Sequence, residues 1–557
     1  MGRLAILKSE DKQASDGKAA ATVVTPPGGA AKGRQATLRF GIQRRAPLVT
    51  LLVVSIVVVL LFLASTTGNS SLIGKTLAPS IVVLIWLACY LVSTYLAFGT
   101  VYLFATAYVV CLFMFHMGLF LQDGLGFIKL ITWKGEMGEW AVRAGWYTNL
   151  ALACFGIGFA TNGLASRRQA MPTPVTINTV APQNLAWLRD QGLGLLIAAI
   201  FLLAAAIATS GNLLALTRLQ LFHLSDTRFI SVFSMMAPGA ATALLLGART
   251  RKQKILSYVV GVVVMLLFLF SGQRSTALFP AFAAAIVWTK TGRRINPVVA
   301  AVAILGTLLL IPMIGYLRDV GTYGDIASTK AIESAAKYAN VSGALGEMGG
   351  SIGPLMYTLK FIPDEEPYRY GSTYLDYVMD VLPNIGFSPD RSTSRAAAED
   401  LLRTLPEDQA LLKMNPGDWA SYHIIKNQFA SGGGAGYSGV AEPYFNFGLP
   451  GVIIFFVALG ALLCRLDCLP LILHRAWLAF GAVIFWHLLP TVRNGLAIFL
   501  KPAVFAIIVL LIWKLVRRFV PMAAPRPARK PVPVGHAPPT GDQQSRVEPR
   551  PAGVRRR

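Results

Sequence analysis

Residues 436–464 read GYSGVAEPYFNFGLPGVIIFFVALGALLC, and this stretch decides how the chain is built. Its first half closes a long polar segment and gathers Glu442, Tyr444, Phe445 and four glycines. Its second half, from Val452 on, is a continuous apolar run of the kind that crosses a bilayer as a helix. A carboxylate beside aromatic residues and glycines at the mouth of such a helix indicates a site rather than a linker.

The composition of the whole chain predicts an all-α, polytopic membrane protein. Of its 557 residues, 54% are hydrophobic and only 14% are charged, whereas soluble domains carry roughly 25% charged residues. The apolar residues form continuous runs of helix-spanning length, while a membrane β-barrel would show alternation. The N-terminal arm that precedes the first run is too long and polar for a cleavable signal peptide.

About twelve of these apolar segments are predicted to be transmembrane helices. They are residues 47–65, 77–98, 100–121, 147–165, 192–209, 229–247, 255–271, 276–289, 298–316, 448–464, 475–489 and 496–516. This arrangement puts every short basic cluster on the same side as both termini; the clusters are 167–168, 249–254, 290–294 and 465–475. Because cytoplasmic loops are enriched in Lys and Arg, both termini are predicted to be cytoplasmic.

The domain boundaries follow from these spans. Residues 1–46 and 517–557 are predicted to be disordered basic cytoplasmic arms that contact anionic lipid headgroups. Between them lie nine spans in 47–316, one large extracytoplasmic loop in 317–447 and three spans in 448–516. Within the loop, residues 374–382 and 396–402 favour short helices.

The charge distribution fits an inner-membrane protein. The loop holds sixteen of the chain's 27 acidic residues, while the predicted cytoplasmic segments are basic. This asymmetry explains the net charge of +24. No aromatic residues are interleaved with the basic ones, so nucleic acid is not expected as a partner.

Four arginines are predicted to lie at the outer membrane face, where charge is costly unless it is used. Arg274 stands in the tight turn GQRS, Arg493 in the turn PTVRNG, Arg318 just after the ninth span and Arg228 just before the sixth. A guanidinium can bind a phosphate through two parallel hydrogen bonds. One such arginine is readily explained by contact with lipid headgroups, but four at one face favour a polyanionic ligand held there.

Other candidates lie within the loop. His423 has the side-chain type best suited to proton transfer near neutrality, although a lone loop histidine is more often structural. Glu442 is a candidate base or ligand of a sugar hydroxyl, and is equally explained as a charge at a helix N-terminus. Arg369 and Arg395 are candidates to grip sugar or phosphate, and Tyr444 to stack on a sugar face or anchor the interface.

No cofactor or metal is expected. The chain has no Walker loop, dinucleotide-binding fingerprint or GxSxG elbow. The first outer loop, 66–76, has no carboxylate pair for a metal ion, and Cys464 and Cys468 lack partner ligands at metal spacing.

Three segments carry a resemblance to a known family. They are GQRSTALFPA at 272–281, YGSTYLDYVMDVLPN at 370–384 and GYSGVAEPYFNFGLPGV at 436–452. In matching order, over about 229–516, they resemble bacterial oligosaccharide repeat-unit polymerases, the O-antigen or Wzy-type polymerases. The third segment is similar to the family's Glu-x-Tyr-x-Asn-Phe-Gly-x-x-Gly pattern. The chain departs from the family at Asn384, where an arginine is common, and in an extra stretch at 392–428.

The resemblance implies a metal-independent, inverting membrane glycosyltransferase of the C class in the bacterial inner membrane, with its loop in the periplasm. It implies a donor glycan on undecaprenyl pyrophosphate and an acceptor hydroxyl on a second lipid-linked repeat unit. Arg274, with Arg228 or Arg493, would stabilise the leaving pyrophosphate, and Glu442 or His423 would take the acceptor's proton. Membrane lipids, a flippase and a chain-length regulator would be its partners.

Two alternatives stay open on the sequence. An O-antigen ligase-like transferase of the same superfamily would move the glycan onto another acceptor, although the Glu442 motif favours a polymerase. A secondary transporter or flippase would have paired halves and broken or charged helices at mid-membrane. The halves of this chain do not match, and few ionisable residues fall inside its predicted spans.

Overall fold

The computed structural model describes residues 45–67, 77–124, 136–166, 182–210, 228–270, 274–290, 295–318, 329–337, 341–381, 395–429, 434–468 and 475–519. Nearly all of the two predicted basic arms, residues 1–44 and 520–557, lies outside this set. The chain up to Leu510 forms one compact unit. The chain from Leu511 on forms a second unit, of which the described part is the end of the last helix.

The described elements are helices, numbered here in chain order. Before the loop they are α1 Ala46–Thr67, α2 Leu77–Phe98, α3 Phe104–Gly124, α4 Glu136–Ser166, α5 Pro182–Ser210, α6 Arg228–Gly247, α7 Arg251–Phe270, α8 Arg274–Lys290 and α9 Pro297–Arg318. In the loop they are α10 Thr329–Ala336, α11 Val341–Gly349, α12 Ile352–Phe361, α13 Ser372–Val381, α14 Arg395–Thr404, α15 Glu407–Lys413 and α16 Pro416–Phe429. After it come α17 Ala441–Cys468, α18 Arg475–Ala479, α19 Thr491–Asn494 and α20 Ala497–Phe519.

These helices confirm the predicted fold class. The described residues are 88% helical and contain no β-strand. Within that set, eight helices are long and apolar enough to cross a membrane, namely α1 to α5, α7, α17 and α20. The other predicted spans coincide with α6, α8 and α9, each of which contains a proline, and with residues 475–489. The protein is therefore a multi-pass membrane protein.

The segment after α18 is not one regular helix. Residues Phe480–Ile484 form a π-helical turn, Phe485–His487 a 3₁₀ turn, and α19 follows after Pro490. Irregular turns of this kind are frequent at functional sites. This broken segment delivers α19 and the turn after it to the candidate site described below.

The loop has more helical structure than its sequence indicated. The two predicted helices occur as α13 and α14. The other five described loop helices were missed because segments of 7 to 14 residues give little periodic signal. Helix α11 packs on α3, and α12 packs on α4, so the loop is seated on the membrane helices rather than detached from them.

The loop helices define one end of the membrane helices, called here the loop end. Gln122, near the end of α3, donates from Nε2 to the carbonyl of Ser342 in α11 at 2.7 Å. Gly315, near the end of α9, lies against the carboxylate of Glu347 in α11. Helices α3 and α9 therefore both run towards the loop end.

The opposite end is tied by a buried carboxylate. Asp467, near the end of α17, accepts hydrogen bonds from the backbone N–H groups of Phe104 and Ala105, both at 3.0 Å, and caps α3. Lys290, the last residue of α8, forms a salt bridge with the same carboxylate. Helices α8 and α17 therefore run away from the loop end, as alternating spans require.

Candidate active site

The 436–451 segment folds into the first part of α17, which begins at Ala441, seven residues before the predicted span. Ser438 caps this helix: its Oγ accepts from the backbone N–H of Val440 at 3.2 Å and of Ala441 at 3.1 Å. The helix then kinks at Gly448, where φ is 65° and ψ is −151°, a conformation suited to glycine. Hydropathy detects only the apolar part beyond the kink, which is why the sequence placed the helix start at 448.

A histidine from α3 holds this cap in place. His116, fully buried, donates from Nδ1 to the carbonyl of Leu112 at 3.2 Å, which leaves Nε2 to accept from the Ser438 hydroxyl at 2.7 Å. Ser438 itself is fully buried. The pair therefore fixes the start of α17 against the membrane core.

Glu442 stands in the first turn of α17 and is only 2% exposed. Its Oε2 accepts a hydrogen bond from the backbone N–H of Leu496 at 2.6 Å. Gly495 lets the chain run tightly past this carboxylate, because its φ is +76° and a Cβ there would lie 2.8 Å from Oε2. The second oxygen, Oε1, has no hydrogen-bond partner among the described residues. A buried polar atom in this state is costly, and an unsatisfied native group calls for an explanation.

Two tyrosines of α13 surround the same carboxylate. Burial first, and then the negative charge of Glu442, raises the pKa of Tyr374 and of Tyr377 far above the ordinary value. The Tyr377 hydroxyl also interacts directly with the Glu442 carboxylate, which raises the pKa of Tyr377 further. The Tyr374 hydroxyl is buried and, like Oε1 of Glu442, has no hydrogen-bond partner in the part of the chain that the structure describes. An unsatisfied carboxylate oxygen and an unsatisfied phenol hydroxyl therefore lie in one buried polar region, where they can bind a hydroxylated ligand.

Asn446 clamps α13 to α17. Its Oδ1 accepts from the backbone N–H of Gly371 at 3.0 Å, and its Nδ2 donates to Oγ1 of Thr373 at 2.7 Å and to the carbonyl of Glu442 at 2.9 Å. Next to it, the backbone N–H of Tyr370 donates to the Asn446 carbonyl at 3.0 Å. The second and third sequence motifs are thus one structural unit.

The turn after α19 closes the site from another direction. The carbonyl of Arg493 accepts from the N–H of Tyr437 at 2.7 Å, and the carbonyl of Val492 accepts from the N–H of Gly439 at 2.9 Å. The Arg493 side chain, half-buried, passes Gly436, with Nε 3.5 Å from where a Cβ of that glycine would lie. The structure thus brings Arg493 to the segment that carries Glu442.

The backbone gives the positions of four other predicted arginines. Arg274 begins α8 and Arg228 begins α6, and both helices contact the π-helical turn that leads to Arg493. Since α8 runs away from the loop end, Arg274 lies at that end, and Arg318, the last residue of α9, lies there too. Arg395 begins α14 within the loop.

A second polar cluster, called here the Glu366 cluster, organises the loop. Oε2 of Glu366 accepts from Nη2 of Arg369 at 2.8 Å, both oxygens accept from Nε1 of Trp419 at 2.9 and 3.0 Å, and Oε1 accepts from Nε2 of His423 at 3.2 Å. Burial raises the pKa of Glu366, but the hydrogen bonds from His423 and Trp419 and the charge of Arg369 outweigh it, so the pKa lies below the ordinary 4.5. The cluster contacts α17 through Phe445, whose ring lies 5.0 Å from the Arg369 guanidinium.

Three predicted site residues therefore have structural contacts of their own. His423 and Arg369 meet at Glu366, and the His423 ring packs on Phe361 with ring centres 4.3 Å apart. Tyr444 is buried and packs edge-on against Tyr147 of α4 at 5.2 Å, so it joins α17 to α4 rather than standing open to a sugar face.

Sequence reasoning missed several residues that shape the site. Tyr374, Tyr377 and Asn446 lie inside the quoted motifs, so the motifs themselves marked them. His116 carried a weaker signal, a polar side chain within an apolar span. Glu366 carried no signal in the sequence, because its partners His423 and Trp419 are more than fifty residues away along the chain.

No group of three His, Cys, Asp or Glu side chains that could hold a metal ion occurs among the described residues. Compared with known families, residues 49–522 match the family model described as O-antigen polysaccharide polymerase Wzy. No curated protein and no solved structure matches the chain. The family match confirms the resemblance seen in the sequence and extends it from 229–516 to most of the chain.

Proposed function

The chain belongs to the O-antigen polysaccharide polymerase Wzy family, and from this premise we propose that it polymerises lipid-linked oligosaccharide repeat units at the Glu442 site. The donor is a growing glycan joined through its anomeric carbon to undecaprenyl pyrophosphate. The acceptor is a sugar hydroxyl of a second lipid-linked repeat unit. The loop end then faces the periplasm, in agreement with the positive-inside distribution of the basic clusters.

The reaction is a single displacement at the anomeric carbon. The acceptor oxygen forms a bond to that carbon while the bond from the carbon to the pyrophosphate oxygen breaks. The leaving pyrophosphate keeps the electron pair, and the proton of the acceptor hydroxyl passes to Glu442. Attack from the side opposite the leaving group inverts the anomeric configuration.

The observation that carries this proposal is the state of Glu442. Its Oε2 is fixed by the N–H of Leu496, while Oε1 has no partner among the described residues. A fixed carboxylate with one available oxygen is suited to accept a proton from a positioned hydroxyl. Tyr374, whose hydroxyl is also unsatisfied, can orient the acceptor sugar. We favour Glu442 over His423 as the base, since His423 already donates to Glu366.

Arginines at the loop end supply the complementary charge. A polyprenyl pyrophosphate leaves as an anion at the membrane surface, where a guanidinium stabilises it strongly. Arg493 reaches the Glu442 segment, Arg274 and Arg318 stand at the loop ends of their helices, and Arg228 begins α6. In this proposal they replace a metal ion, while Arg369 and the rest of the Glu366 cluster hold the loop over the two glycans. Arg395 is a further candidate contact to sugar or phosphate.

Complementation of a deletion strain tests the proposal. The gene is deleted in its bacterial host and restored as wild type, Glu442→Gln, Arg274→Ala or Glu365→Gln. Glu365 is the matched control, an exposed carboxylate beside the half-buried Glu366. Surface and lipid-linked glycans are separated on gels, and membrane levels are measured by immunoblot. We expect Glu442→Gln and Arg274→Ala to leave single repeat units without long polymer, and Glu365→Gln to restore it.

Other outcomes point elsewhere. Full-length polymer that stays on its lipid carrier would indicate a ligase, and unchanged glycans in the deletion strain would favour a transporter. Purified protein in nanodiscs with a synthetic lipid-linked repeat unit tests the finer steps. There the proposal requires polymer formation in the presence of EDTA and an inverted anomeric linkage by NMR.

A further inference from the structure

Helix α13 has two faces with different surroundings. One face carries Thr373 and Tyr377 towards Asn446 and Glu442. The other face presents Leu375, 63% exposed, and Val378, 47% exposed. Exposed apolar side chains that form one surface with other exposed apolar residues mark a site of contact with protein or membrane.

The exposed face of α13 is continuous with an exposed apolar stripe on α17. The ring of Tyr374 stacks on that of Phe447 at 6.4 Å, and Phe447 is 46% exposed. Ile454, 69% exposed, lies beyond the kink at Gly448 on the same helix. Because α17 is one of the helices able to cross a membrane, its exposed apolar side chains contact lipid hydrocarbon.

We propose that α13 lies in the lipid–water interface, with Leu375 and Val378 in contact with the hydrocarbon of the membrane. An amphipathic helix of this kind rests in the plane of the interface with its apolar face buried about 5–10 Å. Tyr370, 76% exposed and held at φ 48° just before α13, places an amphipathic ring at the same boundary. The partner of this surface is the lipid bilayer itself.

The charge on α13 defines which lipids it needs. Its charged residues are acidic, Asp376 and Asp380, whereas helices recruited by anionic lipids are rich in Lys and Arg. The apolar contact therefore supplies the attraction, and zwitterionic lipid is sufficient. The inference does not depend on the proposed reaction. If that reaction takes place, α13 is the wall that separates its site from the bilayer.

Fluorescence quenching tests this placement. In a Cys89→Ser, Cys468→Ser background, which removes the two cysteines that are not buried, Leu375→Cys or Val378→Cys is labelled with bimane. The protein is placed in phosphatidylcholine nanodiscs. Lipids with a doxyl group near the headgroup and aqueous iodide serve as the two quenchers. Ile454→Cys is the lipid-exposed control, and Asp408→Cys, exposed in α15, is the water-exposed control.

We expect both α13 positions to be quenched strongly by doxyl lipid and weakly by iodide, as at position 454. Quenching by iodide with none by doxyl lipid, as at position 408, would overturn the inference and leave the face in water. Protection from both quenchers would also overturn it, because protein, from this chain or a second copy, would then cover the face. The two α13 positions are read separately, so a variant that fails to fold leaves the other as a test.

Discussion

Glu366 and Glu442 are two largely buried carboxylates on the loop side of the molecule, and both approach the first turns of α17. Glu366 accepts hydrogen bonds from Arg369, Trp419 and His423. Glu442 accepts one from the backbone of Leu496 and interacts with the Tyr377 hydroxyl, while its Oε1 has no partner within hydrogen-bonding geometry among the described residues. The two side chains are of one type; Glu442 is the more deeply buried, 2% against 14% exposed, and it is the less completely satisfied.

This difference separates a carboxylate that stabilises the loop from one that is available to a ligand. A carboxylate with several donors, one of them an arginine, has strong charge-assisted hydrogen bonds that offset part of the free energy lost on leaving water. A buried polar atom without a partner costs about 1–3 kcal/mol. Such a cost persists at functional sites, where the arrangement is prepared for a substrate. We therefore assign Glu366 to the fold and propose Glu442 for the reaction.

The largest effect is expected for Glu442→Gln. The amide keeps an acceptor for the N–H of Leu496, so the fold should survive, but it cannot take a proton from a hydroxyl. Loss of a general base lowers the rate by about 10²- to 10⁴-fold. The rate of polymer formation is measured in nanodiscs at equal amounts of folded protein. A rate within a few-fold of wild type would remove Glu442 from the chemistry.

Glu366→Ala should mainly destabilise the loop, whereas Glu442→Gln should keep the fold and lose activity. The change leaves Arg369, only 3% exposed at its side chain, without its carboxylate, and breaking one side of a buried pair costs about 3–5 kcal/mol. Limited proteolysis of the loop in nanodiscs measures the effect. The double variant with Arg369→Met should lose less than the sum of the two single variants. Strict additivity of the two losses would show that the pair is not coupled.

The sequence predicted the membrane frame better than the site. Apolar runs are local features, so eleven of the predicted spans coincide with one helix each, while residues 475–489 are broken into α18, a π-helical turn and a 3₁₀ turn. The Glu442 motif was also local, and it lies at the head of a membrane helix as expected. The start of α17 was placed wrongly, because the seven residues before Gly448 are helical without being uniformly apolar. Ser438 and His116, which fix that start, are more than 300 residues apart in sequence, and no local pattern connects them.

His423 shows most clearly that the role of a single side chain could not be predicted from the sequence. From the sequence it was a lone histidine with a proton-transfer role or a structural one, and nothing local could decide between them. The structure surrounds it with Glu366, Phe361 and Trp419. Which groups satisfy a side chain depends on tertiary contacts, and that was the information needed to tell the two carboxylates apart.

A smaller effect is expected from displacing Glu442 without changing it. In Gly495→Ala the new Cβ would meet the carboxylate, 2.8 Å from Oε2 and 3.2 Å from Oε1, at a φ of +76°. A displacement that costs the transition state about 1.4 kcal/mol lowers the rate about tenfold. Gly99→Ala is the matched control, since its φ is +72° and nothing lies within 4 Å of its Cβ position. Equal polymerisation rates for the two variants would mean that the position of Glu442 does not matter.

The smallest effect is expected for the pH dependence of the loop's stability. Because the pKa of Glu366 is lowered in the folded protein, its contribution to stability is complete above the unfolded value. It is lost as the pH falls from the ordinary 4.5 through the folded pKa. Glu407 also has a lowered pKa, but its side chain is 59% exposed. Solvent therefore screens its contribution to the stability of the loop. Loop proteolysis is compared between wild type and Glu366→Gln at neutral and acidic pH. The wild type should lose its advantage over the variant in acid, and a difference that stays constant across the range would contradict a titrating Glu366.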